Sequence, residues 1–380
     1  MREPANRLQQ IQEYYFSKKL KEVRGLAAQG KPIINIGIGS PDLQPPQEVI
    51  KAIQEAVTDV GAHKYQSYQG LPEFRSAVAD FYQKHYNTQI DSGSEVLPLM
   101  GSKEGILHIS MAFLNKGDEV LIPNPGYPTY TSVTHLVEAT PVYYELKEES
   151  NWQPDLEALE QQDLSKVKVM WVSYPHMPTG AKGDKDLFER LITFAKKHQI
   201  LIVNDNPYSF ILNDKPQSLL AIEGAKEVAL ELNSLSKAFN MAGWRVGMLL
   251  GKASHLQDVL RVKTQMDSGM FYGIQKGAVA ALQMSTTWFE EINKIYEERR
   301  KLVWQLADKL NCTYNRNASG MFVWAKLPEG KSSETVIDEL LYDKDIFVAP
   351  GSIFGNQGKG YIRFSLCVPE DTIEEALSRF

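Results

Sequence analysis

The sequence predicts an α/β protein with a large domain built on a mainly parallel sheet between helices and a smaller α/β domain made from both chain ends. Three observations lead there. Between about residues 95 and 250, short apolar runs rich in Val, Ile and Leu alternate with helical patterns, as expected of strands buried on both faces. Each run gives way to a turn of small or polar residues, and loops at the carboxyl ends of parallel strands are where such folds build their sites. After a helical stretch from roughly 256 to 310, apolar runs return, so a second sheet follows. The 380 residues suffice for more than one core; the expected division is 45–276 for the large domain, and 1–44 with 277–380 for the small one.

Composition narrows the function. A net charge of −6 argues against nucleic acid as a partner, because phosphate binding needs a basic face. Cys312 and Cys367 stand far apart without ligand spacing, which fits reduced, partly buried thiols rather than a disulfide framework or a zinc site. No metal is expected. The N-terminus lacks the apolar core of a signal peptide, and no run approaches a membrane span, so a cytoplasmic setting without membrane contact is expected.

In chain order, residues 7–30 carry Leu20, Val23 and Leu26 at helical spacing and end at Gly30, a fitting C-terminal cap. Ile33–Ile38 reads as a short strand opening into Gly39-Ser-Pro-Asp42. His63–Gly70 is a polar, aromatic loop containing Tyr65. Glu95–Met100 is a strand leading into Gly101-Ser-Lys-Glu-Gly105 and a helix; the helix start makes Gly101, Ser102 and Lys103 anion-site candidates. Val120–Pro123 is a strand, and the prolines of Asn124–Tyr130 fix a rigid loop from which Tyr127 projects. Strands over Val167–Val172 and Gln199–Val203 precede Ser173–Gly180 and Asn204-Asp-Asn-Pro-Tyr208. The charged run Glu297–Lys301 reads as a solvated face. Met321–Ala325, Ile346–Val348 and Tyr361–Ser365 are strands of the small domain. The last carries Arg363 between apolar neighbours, where its planar fork calls for an anionic partner such as a carboxylate.

All of this is organised around Lys237, in Asn233-Ser-Leu-Ser-Lys-Ala-Phe-Asn-Met-Ala-Gly-Trp-Arg-Val-Gly247. A buried strand over Glu227–Leu232 sets the lysine where strand gives way to turn. A lysine amine forms a Schiff base with an aldehyde, the more readily when desolvation or a neighbouring cation lowers its pKa; Arg245 is the candidate cation. The Gly-rich loop that nucleotide phosphates require is missing. Lys237, Ser234, Ser236 and Arg245 therefore point to a phosphorylated aldehyde, pyridoxal 5'-phosphate. With such a cofactor, a carboxylate at Asp205 can pair with the pyridine nitrogen and make the ring an electron sink, Tyr208 would reach the phenolic oxygen, and a rigidly held Tyr127 can stack on the ring.

Ser-Leu-Ser-Lys-Ala-Phe-Asn-Met-Ala-Gly-Trp-Arg-Val-Gly resembles the lysine motif of the fold-type I pyridoxal-phosphate aminotransferases, class I/II. The likeness runs from Gly37-Ile-Gly-Ser-Pro-Asp42 to Arg363-Phe-Ser365 in the family's order. It implies the PLP-dependent transferase fold, transfer of an amino group between an amino acid and a 2-oxo acid, and a homodimer with shared active sites. It implies too that the backbone of Gly39 lies beside the substrate carboxylate, that Arg363 binds that carboxylate, that the family's stacking aromatic falls on Tyr127, and that Tyr65 reaches the cofactor phosphate of the neighbouring subunit. Gly101–Gly105 resembles the LL-diaminopimelate aminotransferase branch, whose lysine here lies near the substrate, so Lys103 is a candidate for phosphate and substrate alike. The lysine motif leans equally to aspartate and alanine aminotransferases, and the substrate side chain stays open.

One departure stands out. The family usually has Asn-Pro-Thr-Gly, its asparagine donating to the phenolic oxygen, where this chain has Met177-Pro-Thr-Gly180. A thioether cannot donate, which raises the Schiff-base pKa or leaves the task to Tyr208, and Met177 becomes a substrate-side candidate. It is also the main support for the alternative of a β-lyase or other α-carbon chemistry on the same fold. A sensor of pyridoxal phosphate would carry a fused DNA-binding domain, which the residues before Gly37 do not accommodate. A structural protein with a dead site is at odds with the complete lysine, aspartate, tyrosine and arginine set.

Overall fold

Thirteen strands order the computed structural model, which describes residues 3–11 and 15–380. The first, β1 (Ile34–Asn35), stands apart from the central sheet. That sheet comprises β2 (Val96–Leu99), β3 (Glu119–Asn124), β4 (Thr140–Glu145), β5 (Val167–Val172), β6 (Leu201–Asp205), β7 (Ala229–Ser234) and β8 (Gly247–Gly251), in the order β2-β8-β7-β6-β5-β3-β4. Every pairing from β7 to β4 is parallel, and only β8 runs against its two neighbours. The mainly parallel sheet is thus as the sequence predicts. Two of its strands escape the pattern: β4 is a half-exposed edge strand containing Pro141, and β8 is a short run between glycines.

Strand alternation splits the interior in two. Met170, Val172 and Ile202 face one hydrophobic core, while Val169, Trp171, Val203, Leu230 and Leu232 face another across the sheet. Each fully buried aliphatic side chain contributes about 1.5–3 kcal/mol, so both helical layers are held firmly. The helix Lys185–His198 shows how the layers are made. Asp184 caps it by accepting from the Leu187 N–H at 2.8 Å, and Leu187, Phe188, Leu191, Ile192 and Ala195 supply its buried stripe. It ends at Gln199, whose left-handed φ of 56° makes the residue a C-cap, which is why β6 begins at Leu201 and not at Gln199 as expected.

One polar group crosses this interior. The buried Glu231 on β7 accepts from Tyr82 at 2.8 Å, from Asn204 at 3.1 Å and from the Leu219 N–H at 2.9 Å. These bonds tie the helix Pro72–Tyr86 to the sheet. Burial raises the carboxyl's pKa against them.

Parallel pairing aligns the carboxyl ends of β3, β5, β6 and β7 on one edge. The turns 124–128, 173–180, 205–208 and 234–238 therefore emerge side by side.

The second sheet is β9 (Thr313–Tyr314), β10 (Phe322–Lys326), β12 (Ala349–Pro350) and β13 (Tyr361–Ser365), antiparallel in the order β12-β13-β10-β9, while β11 (Ile346–Phe347) pairs in parallel with β1. Residues 33–38 thus hold a strand of only two residues. The N-terminal helix is Tyr15–Ala28, following a 3₁₀ turn at Asn6–Gln10; residues 12–14 of the expected helix lie outside the described ones. The stretch 256–310 is three helices, Ala253–Lys263, Tyr272–Leu282 and Thr286–Lys309.

The expected solvated face at 297–301 is corrected at Arg299. This side chain is 3 % exposed and pairs bidentately with Asp42 at 2.7 and 2.9 Å, with Glu370 at 3.2 Å. It occupies the inward side of an otherwise charged turn and pins the Gly37–Asp42 segment to the long helix. Cys312 and Cys367 are free and buried. No helix among the described residues is long and apolar enough to cross a membrane.

Candidate active site

One cavity of about 500 Å³ opens over the aligned strand ends and is lined by every candidate residue except Gly101 and Tyr65. Lys237 enters it from a one-turn helix, Leu235–Ala238, capped by Ser234, whose Oγ accepts from the Ser236 N–H at 3.1 Å. The lysine Nζ donates to the Gly39 carbonyl at 2.7 Å. A Cβ on residue 39 would lie 2.3 Å from the ring of Phe322, so any side chain there would have to displace that ring. Burial holds the amine below its ordinary pKa, with Arg363 and Arg245 adding to the effect. Desolvation thus outweighs the cation that the sequence suggested, and the result is a nucleophilic amine.

Asp205, the last residue of β6, is 6 % exposed. Its Oδ2 accepts from the Tyr130 hydroxyl at 2.9 Å, while Oδ1 meets no donor among the described residues. Burial pushes the carboxyl up to about 6 despite that bond. A buried carboxylate oxygen without a donor is costly, so it marks a place where a ligand's N–H belongs. Tyr208 packs edge-on against Phe322 at 5.8 Å, and Tyr127 lies at 89° to Tyr130. Burial raises the Tyr208 hydroxyl well above its usual range.

An anion cradle lies at the other end. The helix Ser102–Phe113 directs its N-terminal end, the positive end of its dipole, there. Gly101 precedes it at φ 85°, and a Cβ on it would stand 2.2 Å from Arg245 Nη2. Gly247 likewise leaves room for the Ser102 N–H, which a Cβ would approach to 2.7 Å. Ser234 Oγ donates to Ser236 Oγ at 2.8 Å, beside Arg245 and the helix start. Guanidinium, hydroxyls and helix N-terminus suit a phosphate. Lys103 lines the cavity from the same turn and is exposed.

Arg363 on β13 is 4 % exposed. Its Nη2 donates to the Gly37 carbonyl at 2.9 Å and its Nη1 to Met177 Sδ at 3.5 Å, with its carbon 3.9 Å from the Phe322 ring centre and 4.7 Å from that of Phe354. The sulfur of Met177 is therefore an acceptor for the arginine. Tyr65 is 90 % exposed, on a loop beside residues 268–271, outside this cavity.

A lysine, a buried acid and a phosphate cradle at the carboxyl edge of a parallel sheet match what the comparisons return: the family model for class I and II aminotransferases fits residues 31–380. The chain belongs to that family. It is 38% identical over 381 residues to LL-diaminopimelate aminotransferase of Aquifex aeolicus, covering 100% of this chain and 98% of the relative, and 39% identical over 378 residues to that of Maridesulfovibrio salexigens, covering 99% and 97%. Among solved structures, substrate-bound BacF from Bacillus subtilis superposes with a TM-score of 0.95 at 34% identity, covering 100% of this chain and 97% of that one. The fold is that of the PLP-dependent aminotransferases, and the chain is a transaminase of amino acid metabolism.

Several residues of this aminotransferase site carried no signal that separated them from the core. Tyr130, Ser173, Phe322 and Phe354 line the cavity, and Ser173 Oγ donates to the Asp205 carbonyl at 2.9 Å. Only Tyr130 had a hint, its place in the same rigid loop as Tyr127.

Proposed function

We propose that this aminotransferase uses pyridoxal 5'-phosphate, and that Lys237, Asp205 and Tyr208 are its catalytic residues. The observation that carries the reading is the buried, donor-less Oδ1 of Asp205 in the same cavity as the depressed amine of Lys237. The residues fit the cofactor: Asp205 for the ring nitrogen, Tyr127 for the ring face, Tyr208 for the phenolic oxygen, and Gly101, Ser102, Lys103, Ser234, Ser236 and Arg245 for the phosphate end. Bound there, the cofactor supplies an electron sink for charge developing at the substrate's α-carbon.

The chain's own groups do the rest. Lys237 carries a proton to and from the α-carbon, its depressed pKa suiting it to both roles. Arg363, steadied by Gly37 and Met177, orients the α-carboxylate beside Gly39, and Lys103 lies where the substrate's far end can reach it. The substrates are an amino acid and a 2-oxo acid. The relatives' names put LL-diaminopimelate first in any panel of donors.

A large domain of 45–276 fits the seven-stranded sheet, and a small one of 1–44 with 277–380 fits the four-stranded sheet and the β1–β11 pair. A homodimer is supported by the exposed Tyr65, Met266 and Phe271, on segments that pack together through the buried pair of Lys263 and Asp267. In that dimer Tyr65 serves the partner's phosphate.

Borohydride reduction followed by peptide mass mapping tests the reading: the cofactor should be fixed on Lys237, and Lys237→Ala should lose both the tag and turnover. A tag on another lysine, or none, refutes it. Spectral titration against a panel of amino acids then identifies the donor.

A further inference from the structure

We infer that Tyr130 is a positioning residue for Asp205, engaging Oδ2 so that Oδ1 alone is presented to the cofactor's ring nitrogen. The inference rests on the cofactor reading above. A carboxylate at the end of a strand can turn about its last torsion, and two equivalent oxygens could then meet the ring in many poses. Here both ends of the residue are fixed. The Asp205 carbonyl accepts from Ser173 Oγ at 2.9 Å, and its Oδ2 from the Tyr130 hydroxyl at 2.9 Å.

Tyr130 is itself immobile. It is 1 % exposed, its ring stacks on Trp171 at 4.9 Å and 7°, and its carbonyl accepts from Thr134 Oγ1 at 2.8 Å. Trp171 lies on β5, the strand beside β6, so acid and tyrosine are referenced to one sheet. Burial, with Asp205 next, raises the Tyr130 hydroxyl well above its ordinary range, so it stays a donor. Tyr208 also lies near Asp205, and Tyr127, Lys237 and Arg363 line the same cavity.

The test compares two full-length holoproteins, Tyr130→Phe and Tyr144→Phe. Tyr144 is equally a buried tyrosine of this region; its hydroxyl donates to the Trp171 carbonyl at 2.7 Å and does not line the cavity. A merely structural role predicts the same result for both. Positioning predicts that only Tyr130→Phe changes the chemistry. Without the hydroxyl the carboxylate is less favoured, so the acid limb of pyridoxal phosphate affinity against pH, read by visible absorbance, should move up by about one pH unit. In the same variant kcat should fall about tenfold with KM changed less than twofold, as expected for an interaction that matters in the transition state. Tyr144→Phe should keep the wild-type limb and kcat.

An unmoved limb in Tyr130→Phe, or an equal shift in both variants, overturns the inference. A wild-type protein that binds no pyridoxal phosphate at any pH overturns the cofactor reading instead.

Discussion

Replacing Asp205 by asparagine should stabilise the cofactor-free fold at neutral pH and abolish turnover of the cofactor-loaded protein. The folded carboxyl titrates at about 6, against an ordinary 3.8, because burial disfavours its charge. A raised carboxyl contributes fully to stability below its unfolded pKa, and that contribution is lost as pH rises through the folded value. The contribution of Asp205 to stability should therefore fall between about pH 4 and 6 and then level off, a loss of about 3 kcal/mol relative to a neutral side chain at this position. Asparagine is neutral throughout and can still accept from Tyr130. Urea unfolding of wild type and Asp205→Asn between pH 4 and 8 checks this. The curves should nearly coincide at pH 4, and the variant should lead by up to about 3 kcal/mol at pH 8. Added pyridoxal phosphate should then stabilise wild type more than the variant. Equal stability at pH 8, or a lead already present at pH 4, would refute the reasoning, because the acid would not then be charged against its surroundings. A positive result locates a cost that the protein bears for its chemistry.

Other outcomes follow from the same geometry. Asp42→Ala leaves the buried Arg299 with the more exposed Glu370 as its remaining acidic partner and the Leu366 carbonyl at 3.1 Å; a loss of about 3 kcal/mol is expected in urea unfolding, and a loss under 1 kcal/mol would show that the pair is dispensable. Gly101→Ala must hold a left-handed φ of 85° and displace Arg245, so cofactor affinity by absorbance titration should drop at least about tenfold while the protein stays folded. Arg363→Lys keeps the charge and loses the planar fork; KM for the 2-oxo acid should rise about 100-fold, and more than kcat falls.

The sequence was most legible where chemistry and backbone rule coincide. Lys237 and Asp205 both follow apolar runs that could only be buried strands, so their place at the sheet's carboxyl edge could be inferred before any coordinates. Gly101 was readable as a helix start, though nothing in the chain announced that its missing side chain is what admits Arg245. Arg299 was misread because a run of charges looks solvated, and the one turn of the helix that faces inward is set by tertiary packing with Asp42, 257 residues away. Tyr130 gave only the hint of its place beside Tyr127, for a related reason. A buried tyrosine is ordinarily core, and the partner of its hydroxyl, Asp205, is brought to it from a strand 75 residues further along the chain. Edge strand β4 failed on pattern because it is half exposed and carries Pro141, and β8 because its apolar run is only three residues long between glycines.

The pairing of β1 with β11, together with the Ser365 N–H donating to the Ile36 carbonyl at 2.7 Å and Arg363 to that of Gly37, bears on how the protein is made. During synthesis the sheet spanning residues 96–251 has all its strands long before residue 346 leaves the ribosome. The glycine segment that lies beside Lys237 must wait, translated early and seated late. The cavity wall that Gly39 and Arg363 share is thereby completed only after the strand carrying Arg363 has been made.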